Sequence, residues 1–331
     1  MTEKLESLLF FFLRPLLMCN RSGNISAPKI SAESMSNDEI EEAYHSQPVR
    51  LDADLVPHEV FKGYVTLVAS DTVTKTLTTR SDYELASMEF VRLSTSIPVP
   101  KGIRYLSIKD SGYLFAQQYI PGKRLSLLWP TMSWWQRFRV SLTLRYYIHQ
   151  LRTLSYRVGA PSFPGPISMK SQEPQTCHGR LFCESGGGGP FKSYYEMSRW
   201  YQNRLIVMQR FGQANAGVAQ FDDTEPLVFT HFDLHLANVI LGDDGQLWLI
   251  DWAEAGWYPR WFESASMRKF AEMAEQPWLP WVSFICGSCE KPGQYPFIRA
   301  IGYSLDVLAP EIMNLIDNDM AVASVSHEPN A

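Results

Sequence analysis

One stretch decides the fold of this chain: Pro226-Leu-Val-Phe-Thr-His-Phe-Asp-Leu-His-Leu-Ala-Asn-Val-Ile-Leu-Gly-Asp-Asp-Gly-Gln-Leu-Trp-Leu-Ile-Asp-Trp252. Three short apolar runs alternate with polar residues, which predicts strands separated by loops. These runs are Leu227–Thr230, 239–241 and 248–250. The last two enclose Gly242-Asp-Asp-Gly245. Because an Asp-Gly pair between strand-forming segments favours a tight turn, we predict a β-hairpin here.

Three polar side chains flank this hairpin: Asp233, Asn238 and Asp251. Asn238 follows Asp233 by five residues, and Asp251 follows it by eighteen. A loop carboxylate can orient a substrate hydroxyl and accept its proton, while an amide oxygen and a second carboxylate can hold the Mg²⁺ ions that bridge nucleotide phosphates. A His-x-Asp loop, an Asn five residues later and an Asp beyond a hairpin have the spacing of kinase sites. The pattern therefore predicts phosphoryl transfer.

Two segments carry a family resemblance, Phe229-Thr-His-Phe-Asp-Leu-His-Leu-Ala-Asn238 and Ile250-Asp-Trp-Ala-Glu-Ala-Gly-Trp-Tyr-Pro259. They resemble the aminoglycoside phosphotransferase-like branch of the protein-kinase-like fold. The similarity is greatest to its large fungal group, where Ala-Gly-Trp-Tyr-Pro often follows the metal-binding Asp. The resemblance extends over about residues 55–265. It implies an α+β, bilobal fold with a small antiparallel β-sheet in the N-lobe and a mainly helical C-lobe.

The resemblance also implies a reaction. ATP and Mg²⁺ are the expected cofactors, and the γ-phosphate is expected to pass to a hydroxyl of a small metabolite. Asp233 takes the role of the base or orienting carboxylate, and Asn238 and Asp251 take the role of metal ligands. The acceptor itself is not specified by these residues.

A lysine in a predicted strand is the implied phosphate-binding residue. Val73-Thr-Lys-Thr76 is similar to the strand that bears this lysine in kinase-like proteins, so the role falls to Lys75. Glu84, in the helical segment that follows, is its implied ion-pair partner, and Glu89 is the rival. Such a pair would hold the ammonium toward the nucleotide phosphates.

The predicted connection between the lobes is Gln117-Gln-Tyr-Ile-Pro-Gly122. In the family this hinge binds adenine through its backbone, which assigns nucleotide contacts to Gln118 and Tyr119. Relatives usually have Met-Glu in place of Gln117-Gln118, a change expected to alter nucleotide preference more than binding itself.

Three further departures from the family pattern concern the cleft. Only Gly63 stands in the segment that should cover the phosphates. Phe232 occupies a position where relatives usually have Gly, between the His and the Asp of the catalytic loop. Ala253 stands where relatives commonly have Glu, with Glu254 next to it.

Alternative interpretations stay open. His231, Asp233 and His235 form a His-x-Asp-x-His pattern that suits a metallohydrolase, although a third His at useful spacing is missing. His231 is also typical of a structural brace for a catalytic loop, and the hairpin itself could be structural with incidental acids. The main alternative is a non-catalytic nucleotide-binding or scaffold protein on the same fold, because Phe232 could reposition the catalytic loop.

Composition bounds the class of protein. The chain has 331 residues, of which 45% are hydrophobic, and a net charge of −5. This length and content suit a bilobal globular protein, and the charge argues against nucleic acid as the main partner. Its five cysteines form no disulfide framework in a chain this long, so we expect a reducing, cytoplasmic location. We also expect a monomer that binds small molecules. Cys286-Gly-Ser-Cys289 is expected to be two ordinary thiols.

The amino terminus is apolar over residues 8–19, but Arg14-Pro15 interrupts the run. Because it is also shorter than the ~20 residues of a transmembrane helix, we expect no membrane span. A short helix that packs on a lobe or on a membrane surface is the expected structure. The predicted organisation is an extension and linker over 1–36, the N-lobe over 37–119, the C-lobe with the catalytic loop over 120–321 and a frayed tail over 322–331.

Periodicity and turn signals predict the remaining elements. Helices are expected at 37–44, 81–93, 133–156, 193–211 and 300–318, and strands at 59–68, 72–77, 103–108 and 113–119. Gly186-Gly-Gly-Gly189 is expected to form a flexible flap near the acceptor. Aromatic residues cluster after Asp251, where they either pack in the core or wall an acceptor pocket: Trp252, Trp257, Tyr258, Trp261, Phe262, Trp278 and Trp281.

Overall fold

The computed structural model describes residues 3–18, 30–46, 49–50, 65–77, 82–108, 112–183, 186–287 and 291–306. The helices are α1 (Glu3–Leu13), α2 (Asn37–Ser46), α3 (Tyr83–Ser94), α4 (Leu125–Leu128), α5 (Trp134–Val158), α6 (Tyr194–Arg210), α7 (Phe262–Met273), α8 (Val282–Cys286) and α9 (Gln294–Asp306). The strands are β1 (Val49–Arg50), β2 (Val65–Ala69), β3 (Thr72–Leu77), β4 (Gly102–Ser107), β5 (Tyr113–Gln118), β6 (Gly122–Arg124), β7 (Gly165–Pro166), β8 (Leu227–Thr230), β9 (Val239–Gly242), β10 (Leu247–Leu249) and β11 (Gly256–Pro259).

An antiparallel sheet forms the amino-terminal part, with the strand order β1-β2-β3-β5-β4. The β-branched residues of β3 suit a strand that pairs on both sides. Lys75 lies opposite Val65 of β2 and Phe115 of β5, so it is held on a central strand. Of the predicted strand 59–68, residues 59–64 and the predicted Gly63 cover lie outside the described residues.

The part that follows is mostly helical and is organised around α5. Ser133 caps this helix, because its side-chain oxygen accepts a hydrogen bond from the Gln136 N–H. Leu144 and Leu151 of α5 are buried in a core that includes residues of β8, β10 and α8. An antiparallel amino-terminal sheet followed by a mainly helical part confirms the predicted α+β fold class.

Two three-stranded sheets position the stretch that opened the sequence analysis. The predicted hairpin is confirmed: Leu247 of β10 lies opposite Leu241 of β9, and Gly245 in the turn has a φ of 76°. In the same sheet β6 pairs with β9, and in the other β11 lies between β7 and β8. We did not predict β6, β7 or β11, since each is short and finds its partner strand only in the tertiary structure.

Helix α1 lies against α5. This agrees with one of the two expectations for the amino terminus, a short helix that packs on a lobe. Phe10 is buried in a small apolar cluster with Leu142 of α5. Glu6 is buried as well, and its carboxylate is 2.6 Å from Arg145 Nη2 and 3.4 Å from His149 Nδ1. No helix in the described parts of the chain has the length and apolar character needed to cross a membrane.

Several predicted boundaries shift by a few residues. The helix expected at 81–93 is observed as α3, and the last described helix, α9, begins before the predicted 300–318 region and is described only to Asp306. Cys19, Cys289, most of the 20–36 linker and the 322–331 tail lie outside the described residues. Cys177, Cys183 and Cys286 are buried free thiols.

Candidate active site

Lys75 is held by two carboxylates that come from distant parts of the chain. Its Nζ is 3.3 Å from Glu84 Oε2 on α3 and 2.5 Å from Asp251 Oδ1, which follows β10. Burial disfavours the charged ammonium, but the two carboxylates outweigh it and hold the pKa of Lys75 above its usual value. The structure therefore brings together three residues that we predicted to act on nucleotide phosphates and metal.

Glu84 and its rival Glu89 have different surroundings. Glu84 is buried, whereas Glu89 pairs with Arg92 on the surface of α3 at 3.3 Å. The ion pair with Lys75 is thus made by Glu84, the partner that the family resemblance implied.

Asp251 lies next to Asn238 because of how the hairpin closes. The Ile250 N–H donates to the Asn238 carbonyl at 3.1 Å, and Asp251 then adopts a left-handed φ of 64°. Burial raises the pKa of Asp251, but the ammonium of Lys75 outweighs it and the net direction is downward, so the group is a carboxylate at neutral pH.

Asp233 and Asn238 form a second contact pair. The Asn238 Nδ2 donates to the Asp233 backbone carbonyl and to Asp233 Oδ2, each at 2.9 Å. These bonds fix the orientation of the amide, because its nitrogen lies on the carbonyl and the carboxylate of Asp233. His235 Nε2 is 3.7 Å from the same carboxylate oxygen, and its ring lies 4.3 Å from that of Phe270.

His231 braces the catalytic loop, as one interpretation of the sequence held. Its Nε2 donates to the Ile250 carbonyl at 3.1 Å, and its Nδ1 accepts from the Asp233 N–H at 3.3 Å. Burial lowers the pKa of His231 to about 4, so the ring is neutral and this tautomer satisfies both contacts. Because both ring nitrogens bond within the protein, His231 is not placed as the ligand that the metallohydrolase alternative requires.

Phe232 adopts a backbone conformation that explains why glycine suits this position. Its φ is 69°, in the left-handed region where a side chain is strained. The ring is nevertheless fully buried and stacks on Tyr258 and Phe262, at centroid distances of 4.6 and 5.6 Å. Aromatic packing therefore offsets the strain, and the loop still presents Asp233 beside Asn238.

Glu263, at the start of α7, is a functional residue that sequence reasoning missed. This buried carboxylate accepts the His231 N–H at 2.8 Å and the Phe232 N–H at 3.2 Å. Ser266 completes the arrangement by donating to the Phe232 carbonyl at 2.6 Å. Nothing in the spacing marks Glu263, since its partners lie 31 and 32 residues earlier.

The hinge residues have their backbone N–H groups engaged inside the protein. The Gln118 N–H donates to the Lys101 carbonyl at 2.9 Å, and the Tyr119 N–H donates to the Asp71 carbonyl at 2.8 Å. The Gln118 side chain accepts from the Lys101 N–H at 3.1 Å. The backbone N–H groups of Gln118 and Tyr119 are therefore engaged within the protein, so a backbone contact of these residues with adenine would use their carbonyl oxygens.

Two further charged residues, Arg180 and Glu254, lie beside Asp233 and Asp251 and were not predicted as site residues. The Arg180 guanidinium forms an ion pair with Asp233 and lies over the Phe270 ring, 4.1 Å from its centroid. Burial raises the pKa of Glu254 to about 7, and the nearby Asp251 adds to that shift. Arg180 carries no sequence signal, because it lies in a Gly-, Pro- and Ser-rich region without periodicity.

The glycine run was expected to be a flexible flap, and the aromatic cluster was expected either to pack in the core or to wall a pocket. Both are packed inside the protein at most of the positions considered below. Gly187 and Gly188 are buried and form bridges with Cys183 and Cys177, so the expected flexible flap is tied down at these positions. Most of the aromatic residues after Asp251 are core residues. Those with 2% exposure or less are Trp252, Tyr258, Trp261, Phe262 and Trp278.

Comparisons with known proteins were made for the whole chain. The model of the phosphotransferase enzyme family (APH) matches residues 195–279, which run from α6 through the catalytic loop and α7. None of the curated proteins compared with the chain matches it.

Among solved structures, the chain is similar to an apo thermostable mutant of aminoglycoside phosphotransferase APH(4)-Ia. The identity is 17% and the TM-score 0.46, over 73% of this chain and 80% of that one. The complex of wild-type aminoglycoside 2'-phosphotransferase-IIIa with GDP has an identity of 11% and a TM-score of 0.43, over 82% of this chain and 85% of that one. The complex of spectinomycin phosphotransferase, APH(9)-Ia, with ADP and spectinomycin has an identity of 13% and a TM-score of 0.39, over 72% of this chain and 75% of that one. Residues 195–279 thus carry the pattern of the phosphotransferase enzyme family, within a chain that has an antiparallel amino-terminal sheet and a mostly helical carboxy-terminal part.

Proposed function

We propose that this protein transfers the γ-phosphate of ATP to a hydroxyl of a small molecule. One observation carries the proposal: Lys75 on β3 is bound by Glu84 on α3 and by Asp251 beyond the β9–β10 hairpin. A cation so placed, next to a loop carboxylate, is what phosphoryl transfer needs, because the protein contributes mainly positioning and charge stabilisation. The family match over residues 195–279 supports the same reaction class.

Mg²⁺ suits the donor set that we assign to it. Asn238 and Asp251 are brought together by the Ile250 hydrogen bond, and each provides an oxygen. Mg²⁺ is commonly held by one or two protein oxygens together with substrate phosphates and water. When bound, it supplies positive charge that neutralises the phosphates.

The remaining roles fall to residues already in contact. Lys75 keeps Glu84 as its partner and directs its ammonium to the nucleotide phosphates in exchange for Asp251. Asp233, oriented by Asn238, holds the acceptor hydroxyl and takes its proton. Gln118 and Tyr119 contact adenine through carbonyl oxygens, since their N–H groups are engaged elsewhere.

The finer assignments are proposals as well. The acceptor is a metabolite of the kind handled by the fungal group, and the protein acts as a cytoplasmic monomer. The lobes divide at residues 119 and 120. The net charge of −5 supports a small-molecule acceptor over nucleic acid.

A second candidate is nucleotide binding without turnover. It is favoured by the ion pair of Arg180 with Asp233 and by the strained backbone of Phe232. Under this alternative Mg·ATP binds but its γ-phosphate is not transferred.

Thermal shift with Mg·ATP, followed by assay of phosphate release, tests both candidates. For the proposed enzyme, Mg·ATP raises the Tm of wild type and of Asp233→Asn, whereas Asp251→Asn loses the metal-dependent part. Release of phosphate then requires Asp233. A Tm that Mg·ATP does not change at saturating concentration contradicts both candidates, and binding without any release supports the second.

A further inference from the structure

The guanidinium of Arg180 lies against the carboxylate of Asp233 and not on the protein surface. Arg180 lies between Cys177 and Cys183, whose bridges to the glycine run fix both ends of this short segment. The Arg180 backbone carbonyl accepts a hydrogen bond from Lys269 Nζ at 2.9 Å. Burial lowers the pKa of Arg180 only to about 10, so the guanidinium is charged at neutral pH. The bridges and the Lys269 hydrogen bond therefore hold the positive charge of Arg180 against Asp233.

Both carboxylate oxygens of Asp233 are covered in this arrangement. Oδ1 forms an ion pair with Arg180 without accepting a hydrogen bond in the described part of the chain, and Oδ2 accepts from Asn238 Nδ2 at 2.9 Å. A base must come within about 2.6–3.2 Å of the hydroxyl oxygen whose proton it accepts. Asn238 is assigned to the metal ion, so its bond to Oδ2 stays in place. The contact of Arg180 with Oδ1 must therefore open before Asp233 can bind an acceptor hydroxyl.

Glu254 provides a place for the displaced guanidinium. Its Oε2 is buried and has no hydrogen-bond partner within the described part of the chain. The oxygen lies beside the residue that precedes Arg180, since a Cβ at Gly179 would be only 2.7 Å from it. A buried carboxylate oxygen without a hydrogen bond is costly, and the nearby guanidinium of Arg180 already acts to lower the pKa of Glu254, so the two groups are suited to pair directly when the contact with Asp233 opens.

We propose that Arg180 and Glu254 form a latch on the catalytic carboxylate. Arg180 covers Asp233 while no acceptor is bound, and it moves to Glu254 when an acceptor hydroxyl takes its place. The latch rests on the proposed phosphotransferase function. Its effect is to protect ATP from water, because a covered Asp233 cannot orient a water molecule.

The reaction that the latch suppresses is ATP hydrolysis. The oxygen of water forms a bond to the γ-phosphorus, and the bond from that phosphorus to the β–γ bridging oxygen breaks. The proton of water passes to Asp233 and then to solvent, so that ADP and inorganic phosphate are the products. No acceptor needs to be known in order to measure this reaction.

The experiment measures Mg²⁺-dependent phosphate release from ATP without acceptor. Arg180→Gln is expected to raise the rate about 10-fold, a modest part of what a freed general base contributes. Adding Asp233→Asn to Arg180→Gln should bring the rate far below the wild-type value, because the residual wild-type hydrolysis comes from molecules in which Asp233 is uncovered. Glu254→Gln is expected to lower the rate about 3-fold, because the open state loses its charged partner. Arg199→Gln, on the exposed face of α6, is the matched control and should leave the rate unchanged.

Thermal shift separates the latch from the function on which it rests. If Mg·ATP fails to stabilise the wild type, the proposed function fails and the latch fails with it. If Mg·ATP stabilises both wild type and Arg180→Gln but the variant shows no rise in hydrolysis, the latch is overturned and the proposed function stands. Should Arg180→Gln not fold, Glu254→Gln decides: a lower rate supports the latch, and an equal or higher rate overturns it.

Discussion

The nucleotide end of the proposed site and its acceptor end differ in how their charges are paired. At the nucleotide end Lys75 lies between Glu84 and Asp251, and each charge has an opposite partner. At the acceptor end Arg180 covers Asp233, while the buried Glu254 Oε2 has no partner among the described residues. The charges of the first end are matched before any ligand binds, whereas the second end leaves one buried oxygen for a contact that forms only when Arg180 moves.

The two ends also differ in how they are assembled. Lys75 and Glu84 come from neighbouring elements of the amino-terminal part, so their spacing in the sequence already relates them. Arg180 comes from a loop between α5 and α6, and Glu254 follows β10. Loops vary more freely than the scaffold that carries them, and binding specificity commonly resides in them. Variants at each end should therefore affect different measured properties.

The largest expected effect separates chemistry from binding at the acceptor end. Asp233→Asn removes the group that accepts the proton, so phosphate release should fall roughly 10³-fold. Mg·ATP should still raise the Tm of this variant, because Lys75 and Asp251 are unchanged. Asp223→Asn, which alters an exposed acid near the motif, is the control and should retain full activity. Equal activity of the Asp233 variant and wild type would contradict the role of this carboxylate.

The next effect tests the pairing at the nucleotide end. Lys75→Met leaves Glu84 and Asp251 close together without a cation, which should lower the free energy of unfolding by about 4 kcal/mol. The stabilisation by Mg·ATP should also be lost. Urea denaturation with and without Mg·ATP measures both changes. Lys123→Met, at an exposed position of β6, should change neither, and a Lys75 variant as stable as this control would break the comparison.

A third prediction concerns the residue that holds the catalytic loop. Glu263→Gln weakens the bonds to the His231 and Phe232 N–H groups, each of which ends on a charged acceptor, and should cost about 3 kcal/mol of stability. As a positioning residue it should lower kcat of phosphate release more than it raises KM for ATP. Glu89→Gln, at the surface pair with Arg92, is the matched variant. A change in KM alone would show that Glu263 acts at the nucleotide end instead.

The smallest effect is a pH dependence specific to the acceptor end. The pKa of Glu254 is about 7 in the folded protein and near 4.5 in the unfolded chain, so the folded state binds the proton more tightly. The resulting stabilisation is complete below pH 4.5 and is lost as pH rises through 7, and about 2.5 kcal/mol of it falls in the window from pH 5 to 8. Glu254→Gln should remove this slope, whereas the exposed Glu173→Gln should keep it. Unfolding measured from pH 5 to 8 distinguishes them, and an unchanged slope in the Glu254 variant would contradict the assignment.

Phe232 illustrates how far local rules extend. The pattern showed that a bulky residue stands where glycine is usual, and the structure shows a φ of 69° at that position. Whether such a residue displaces the loop depends on its neighbours, and here Tyr258 and Phe262 receive the ring. The aromatic residues that could have walled an acceptor pocket serve the core for the same reason.

The sequence by itself determined the α+β class and the β9–β10 hairpin, and it named Asp233, Asn238 and Asp251 as candidate site residues. Those features depend on short-range signals: apolar runs, an Asp-Gly turn and fixed spacing around Asp233. Only the tertiary structure decided that Glu263 holds the catalytic loop, that Arg180 covers Asp233 and that Glu254 Oε2 accepts no hydrogen bond in the described part of the chain. These contacts join residues far apart in the chain, and their energies come from burial and charge, which no local pattern of residues records.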